Sequence, residues 1–265
     1  MTTRIAVLAS GGGSNLQALF DYHSRLAERR NGTLVLVASD RAAAKALDRA
    51  RVAGVATEVI GNPDDGESLC EMLEAHRAEL IVLAGYLRLV PTAVVDRWSN
   101  RIVNVHPALL PSFGGKGMYG MRVHRAVLES GARISGPTVH IVDAEYDRGR
   151  ILSQWPVPVL GNDTPESLAA RVLRAEHMLL PRVVELLAAE LSGKFQPAPE
   201  TVHAEFRFVR GDAADGGPDS AMGVEADEEF DTPQATASIG ESDSSQTSAS
   251  IASFLAATCI MPSGA

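Results

Sequence analysis

Residues 5–16 read IAVLASGGGSNL: an apolar run from Ile5 to Ala9 passes through Ser10 into three consecutive glycines, then Ser14, Asn15 and Leu16. An unbroken apolar run of this length suits a strand covered on both faces. Three glycines let the backbone turn sharply and come close to a ligand. Beyond them, Asn15–Glu28 carries apolar residues three and four apart, the spacing of an amphipathic helix. Strand, glycine turn and helix make the first half of a parallel βαβ unit. Ser14 followed by Gln17 forms a capping-box pattern and predicts the helix start inside the loop. The unpaired N–H groups of such a start can hold a phosphate without any basic side chain.

The same alternation continues outward. Thr33–Ser39, Val55–Ile60, Leu80–Ala84 and Arg101–Val105 read as strands, with helical spacing over Ala42–Ala53 and Glu67–Arg77 between them. This predicts an α/β domain of Rossmann-like type, a mostly parallel sheet with helices on both faces. After residue 133 two strand-like runs, Ile134–Val142 and Ile151–Val159, lie close together and predict an antiparallel late addition. Thr164-Pro165-Glu166 starts a last helix that runs to about Leu191.

Charge divides the 265 residues in two. The chain carries 33 acidic and 24 basic residues, and 11 of the acids but only Arg207 and Arg210 of the bases fall in 204–265. The net charge of −9 therefore belongs to this segment, and residues 1–203 balance. Residues 204–265 are rich in Gly, Ser, Thr and Ala without periodic apolar residues, so they are predicted to be a disordered acidic tail behind a folded domain of residues 1–203. An acidic chain offers little to a nucleic acid or an anionic membrane. No apolar run reaches the roughly 20 residues of a membrane span. Ile5–Ala9 is too short for a secretory leader, and a cytoplasmic protein is expected. Cys70 and Cys259 are too few for a disulfide framework, and the histidines show no metal-ligand spacing.

Three further segments can carry chemistry. Asn104 and His106 close the fifth strand two residues apart and so share a face, placing an amide and an imidazole where one carbonyl oxygen could be held. Asp143 and Asp147 lie between the late strands, and either could raise the pKa of His106. Gly85–Pro91, after the fourth strand, mixes apolar surface with free backbone, as a heterocycle pocket needs. A dinucleotide loop is a rival for the glycine turn, since Asp40 ends the second strand, but Leu16 stands where its third glycine belongs. A nicotinamide-dependent oxidoreductase and a non-catalytic module with an acidic arm are therefore the competing classes.

IAVLASGGGSNL, LIVLAGYLRLVP from Leu80, RIVNVHPALLPSF from Arg101, SGPTVHIVDAEYDRGRIL from Ser135 and RVLRAEHMLLP from Arg171 occur in this order. Together they resemble the phosphoribosylglycinamide formyltransferases, from about Arg4 to Leu191. The NxHP segment and the DxG turn also occur in other users of 10-formyltetrahydrofolate, including a hydrolase, and SGGGSN points to the glycinamide ribotide enzyme. The resemblance implies formyl transfer from 10-formyltetrahydrofolate, as cosubstrate, to the amine of 5-phosphoribosylglycinamide, without a metal. It implies that Gly13, Ser14 and Asn15 bind the phosphate and Glu176 the glycinamide. Asn104, His106 and Asp147 would be catalytic, with Asp147 chosen over Asp143. Leu87, Arg88, Leu89 and Val90, with Asn104, would take the folate, and Leu110-Pro111 would be cis. Two segments depart from the pattern: Asn62–Ser68 lacks an arginine, and the longer loop Gly114–Gly120 brings Lys116 and, just past it, Arg122 as substitutes.

Overall fold

The structure, a computed structural model, describes residues 1–194. The predicted acidic tail and Cys259 lie outside the described residues. Five strands come first: β1 (Thr3–Leu8), β2 (Gly32–Ser39), β3 (Ala56–Val59), β4 (Leu80–Leu83) and β5 (Ile102–His106). β6 (Ile134–Ser135), β7 (Thr138–Ile141), β8 (Ile151–Gln154) and β9 (Val157–Pro158) follow. The helices are α1 (Ser14–Leu26), α2 (Lys45–Val52), α3 (Gly66–Ala75), α4 (Thr92–Arg97), α5 (Met121–Glu129) and α6 (Pro165–Leu191).

The main sheet runs β3-β2-β1-β4-β5-β7-β8, parallel through β5 and antiparallel beyond it. Alternate residues of β1 serve opposite faces. Ala6 and Leu8 belong to a cluster with Leu69, Cys70 and Leu73 of α3, Val94 of α4, and Trp98. Ile5 and Val7 are buried on the other face, where α6 packs against α1 and α5. Each such apolar side chain contributes about 1.5–3 kcal/mol on burial, so the stretch that begins the chain's pattern also anchors its centre.

Both late runs are shorter than expected. Gly136-Pro137 divides the first into β6 and β7, and Pro156 separates β8 from β9. Proline has no N–H to give a central ladder. β6 and β9 pair with each other in a separate two-stranded sheet. α4 and α5 lie where no helix is predicted; α4 has only six residues, too few to display a period.

The capping box predicted for α1 is absent. Its N-cap is Gly13 at φ 70°, with no side-chain cap, and Gln17 instead donates to Asp21 and accepts from Arg49. The start predicted for the last helix is present, with Thr164 as N-cap and Pro165 at the first position, and Thr164 also forms a capping box with Ser167 that the sequence reading does not predict.

The topology places the site. β1 connects to β2 on one side and the chain returns to β4 on the other. The loops leaving the carboxyl ends of β1 and β4 thus diverge, which opens a crevice at that edge.

Candidate active site

The loops after β1 and β4 are tied together at the crevice. The Ser10 N–H donates to the Gly85 carbonyl at 3.0 Å, and the Leu87 N–H to Ser10 Oγ at 3.0 Å. β5 adds Asn104 and His106, which line the same cavity, of about 280 Å³, as their spacing predicts. Leu87, Arg88, Leu89 and Val90 form part of the wall, and so do Asn15, Asp147 and Glu176. Leu87 and Leu89 are 44% and 41% exposed, which leaves apolar surface free for a flat ring. Gly13 and Ser14 are not in that wall; Gly13 is turned against α2.

Asp147, not Asp143, meets His106. Its Oδ2 lies 3.5 Å from His106 Nδ1 and accepts the Gly115 N–H at 2.9 Å. Asp143 Oδ1 is taken up by the N–H of Glu145. Asp147 has φ 55°, and the close approach of its loop to β7 requires Gly149, where a Cβ would overlap the Ile141 carbonyl oxygen.

His140 joins the group through strand register, since it lies opposite Asn104 on β7. Its Nδ1 donates to the Ile141 carbonyl at 2.8 Å, and its Nε2 accepts from Asn104 Nδ2 at 3.1 Å. That contact fixes the Asn104 amide and leaves a second N–H of the same group for an incoming oxygen. The sequence places His140 only on the run that leads to Asp143; its pairing with Asn104 depends on a register that no local pattern supplies.

The protonation of His106 differs from the sequence-based expectation. The ring is 3% exposed, and burial pushes its pKa below the ordinary 6.5. Asp147 and the Phe113 carbonyl pull the other way without overcoming burial. The neutral ring is therefore favoured, and its Nε2–H donates to the Phe113 carbonyl at 2.9 Å. Burial also works to raise Asp147, but His140, His106 and the Gly115 N–H outweigh it and hold the carboxyl ionised. Glu176 is the reverse case. Burial pushes its pKa up to about 7, only partly offset by the Asn15 Nδ2–H that it accepts at 2.6 Å.

Arg88 is the one lysine or arginine in the cavity wall among the described residues. Its Nε lies 3.3 Å from Asp40 Oδ2, so Asp40 is engaged in an ion pair and is not a free ribose-binding acid. Lys116 and Arg122 are both outside the wall, with Arg122 stacked 5.1 Å over the Tyr119 ring. In the segment Asn62–Ser68, Asp65 caps α3 through the Ser68 N–H. Leu110-Pro111 is cis, as the resemblance implies. Among the described residues no three His, Cys, Asp or Glu side chains are grouped to hold a metal ion.

A parallel sheet with an amide, an imidazole and a carboxylate at its crevice is the frame of an acyl-transfer enzyme, and residues 3–184 match the formyl transferase family. The chain belongs to that family, which removes the oxidoreductase alternative. Within it, the chain is 46% identical over 194 residues to the chloroplastic phosphoribosylglycinamide formyltransferase of Arabidopsis thaliana, a match covering 71% of this chain and 66% of that protein. Among solved structures, glycinamide ribonucleotide transformylase 1 from Symbiobacterium toebii is similar at TM-score 0.65 and 42% identity, covering 71% of this chain and 89% of that one. Phosphoribosylglycinamide formyltransferase from Brucella melitensis is similar at TM-score 0.65 and 38% identity, covering 71% and 97%.

Proposed function

We propose that this chain is a phosphoribosylglycinamide formyltransferase of purine biosynthesis, moving a formyl group from 10-formyltetrahydrofolate to the amine of 5-phosphoribosylglycinamide. One observation carries the reading: a single cavity is lined at once by Asn15 and Glu176, by Leu87 to Val90, and by Asn104, His106 and Asp147. The ribotide phosphate is assigned to the N–H groups at Gly13, Ser14 and Asn15, and the glycinamide to Glu176. The folate ring is assigned to the apolar wall from Leu87 to Val90. The exposed leucines and free backbone there suit a heterocycle. Holding both reactants together can supply ~7–11 kcal/mol of the barrier.

In this reading the amine attacks the formyl carbon, and the bond from that carbon to the folate nitrogen breaks. Asn104 donates its second amide N–H to the oxygen as it gains charge, a contact typically worth ~3–4 kcal/mol. His106 releases the Phe113 carbonyl and carries its one proton on Nδ1, against Asp147, which leaves Nε2 free to accept from the substrate. The neutral ring takes the proton released by the attacking nitrogen, Asp147 offsets the charge formed, and the ring returns the proton to the departing nitrogen. The names of the relatives support formyl transfer and the glycinamide ribotide as its acceptor. The enzyme is read as cytoplasmic; no described helix is long and apolar enough to cross a membrane. The catalytic domain is assigned to residues 1–203, so a chain ending there should keep its kinetics.

The test mixes the protein with 10-formyltetrahydrofolate, with and without glycinamide ribotide, and follows release of the folate. Release that requires the amine, with formylated ribotide as product, is expected. Equal release without it identifies a hydrolase and overturns the reading.

A further inference from the structure

The glycine turn after β1 is gripped from behind by α2. The Gly11 carbonyl accepts the Ala46 N–H at 3.1 Å, and the Gly12 carbonyl accepts Arg49 Nε–H at 2.8 Å. Arg49 Nη1 also donates to Gln17 Oε1 at 2.9 Å, so one guanidinium joins the turn to the first turn of α1. The contact is close: a Cβ on Gly13 would lie 2.9 Å from Ala46 Cα and 3.3 Å from Arg49 Cδ.

This grip has a directional effect. In a planar trans peptide the carbonyl and the following N–H point opposite ways. Holding the Gly11 and Gly12 carbonyls on α2 therefore turns the N–H groups of Gly12 and Gly13 away from it. The N–H groups of Ser14, Asn15 and Leu16 follow, in the helix turn that has no partners of its own. None of the N–H groups of residues 11–16 meets an acceptor among the described residues. Asn15, 8% exposed, also keeps its Oδ1 buried without a partner. A row of aligned donors suits an oxyanion, and the Asn15 Oδ1 beside them, an acceptor, is left for a donor of the substrate rather than for its anion.

We propose that Arg49 is a positioning residue for a phosphate-binding turn, holding the Gly12 carbonyl back so that the donors of residues 12–16 stay aimed at a phosphomonoester. The proposal rests on the reading that the substrate's phosphate seats there. The need for such a residue follows from the glycines. Nothing lies within 4 Å of a Cβ built on Gly12, so the Gly12–Gly13 peptide is open to rotation on its Gly12 side, while Ala46 limits it at Gly13. A rotated Gly12–Gly13 peptide would present its carbonyl to the phosphate and repel it. Arginine suits the task because its planar fork serves two acceptors in fixed directions, whereas a lysine is a single point of charge. Arg49 touches neither substrate, and its effect is preorganisation of the groups that do.

The experiment compares wild type, Arg49→Met and Arg49→Lys on glycinamide ribotide and on the same compound lacking its phosphate. Arg49→Met is expected to raise KM for the phosphorylated substrate by roughly tenfold or more, the scale of one hydrogen bond to a charged group. Its kcat, its melting temperature and its KM for the unphosphorylated compound should stay close to wild type, and Arg49→Lys should fall between. An unchanged KM for the ribotide overturns the proposal. So does a rise in KM for both compounds together with a lower melting temperature, which would mark Arg49 as structural only. If the wild type does not prefer the phosphorylated compound, the phosphate assignment itself fails, and this is read without any variant.

Discussion

Asp147 faces His106 with one carboxylate oxygen and His140 with the other, at 3.5 Å from His106 Nδ1 and 3.6 Å from His140 Nε2. The carboxylate is ionised, half-buried and supported by the Gly115 N–H, so it is a fixed negative charge beside a ring that must gain a proton during turnover. Replacing it with the isosteric amide keeps the shape and removes the charge. Asp147→Asn should lower kcat by about 10²–10⁴, the usual range for lost acid–base assistance. Steady-state kinetics on glycinamide ribotide would check this, and turnover near that of the wild type would exclude Asp147 from the proton path.

The lowered pKa of His106 gives a directional expectation for pH. Burial favours the neutral ring, so the form that can accept a proton is already present at pH 7. The profile of kcat/KM, which reports the free enzyme, should therefore be flat above neutrality on account of this group, and should fall as pH drops through a value below the ordinary 6.5. An enzyme that needed the imidazolium at the outset would show the opposite limb, losing turnover as pH rises through that value. Titrating the His106 ring by NMR alongside the kinetics would separate the two.

How much of this was legible in the sequence depended on the range of the interaction. The spacing of Asn104 and His106 fixed their common face because a strand alternates locally, and Thr164-Pro165 marked the start of α6 for a similarly local reason. The choice between Asp143 and Asp147 could not come from spacing, because it depends on how a loop with φ 55° at Asp147 folds back toward β5. Ser14 and Gln17 misled for the same reason: Arg49, 32 residues further along, competes for Gln17. Asp147 does raise the His106 pKa as the chain suggests, but the net balance was not legible, because the depth of burial that lowers it further leaves no local pattern.

Gly149 links the fold to this chemistry. It lies two residues after Asp147, and a Cβ there would overlap the Ile141 carbonyl oxygen, with the Asp143 N only 3.4 Å away. Gly149→Ala must push the loop off β7, and strain of this kind typically costs 1–3 kcal/mol, a typical range for overpacking. The variant should therefore melt lower and also lose turnover, because Asp147 moves with the loop. A variant that melts lower but keeps full kcat would show that the position of Asp147 does not depend on this contact.

Glu176 separates stability from catalysis. In the folded chain its pKa is pushed up to about 7 from an ordinary 4.5, chiefly by burial, so the folded state keeps a proton that the unfolded state releases. Stability from this group is complete below about pH 4.5, declines as pH rises, and is lost above about pH 7, where the folded protein carries a buried charge. Glu176→Gln keeps an oxygen to accept the Asn15 N–H and removes the ionisable proton. Denaturant midpoints should coincide for the two proteins near pH 4.5, and the variant should be the more stable at pH 8, by at most roughly 3 kcal/mol. The same variant should bind the ribotide less well if the carboxylate receives the glycinamide, so stability and substrate affinity would move in opposite directions at pH 8. Equal destabilisation at both pH values would mean that the carboxylate is not held against its charge, and the burial argument for Glu176 would fail.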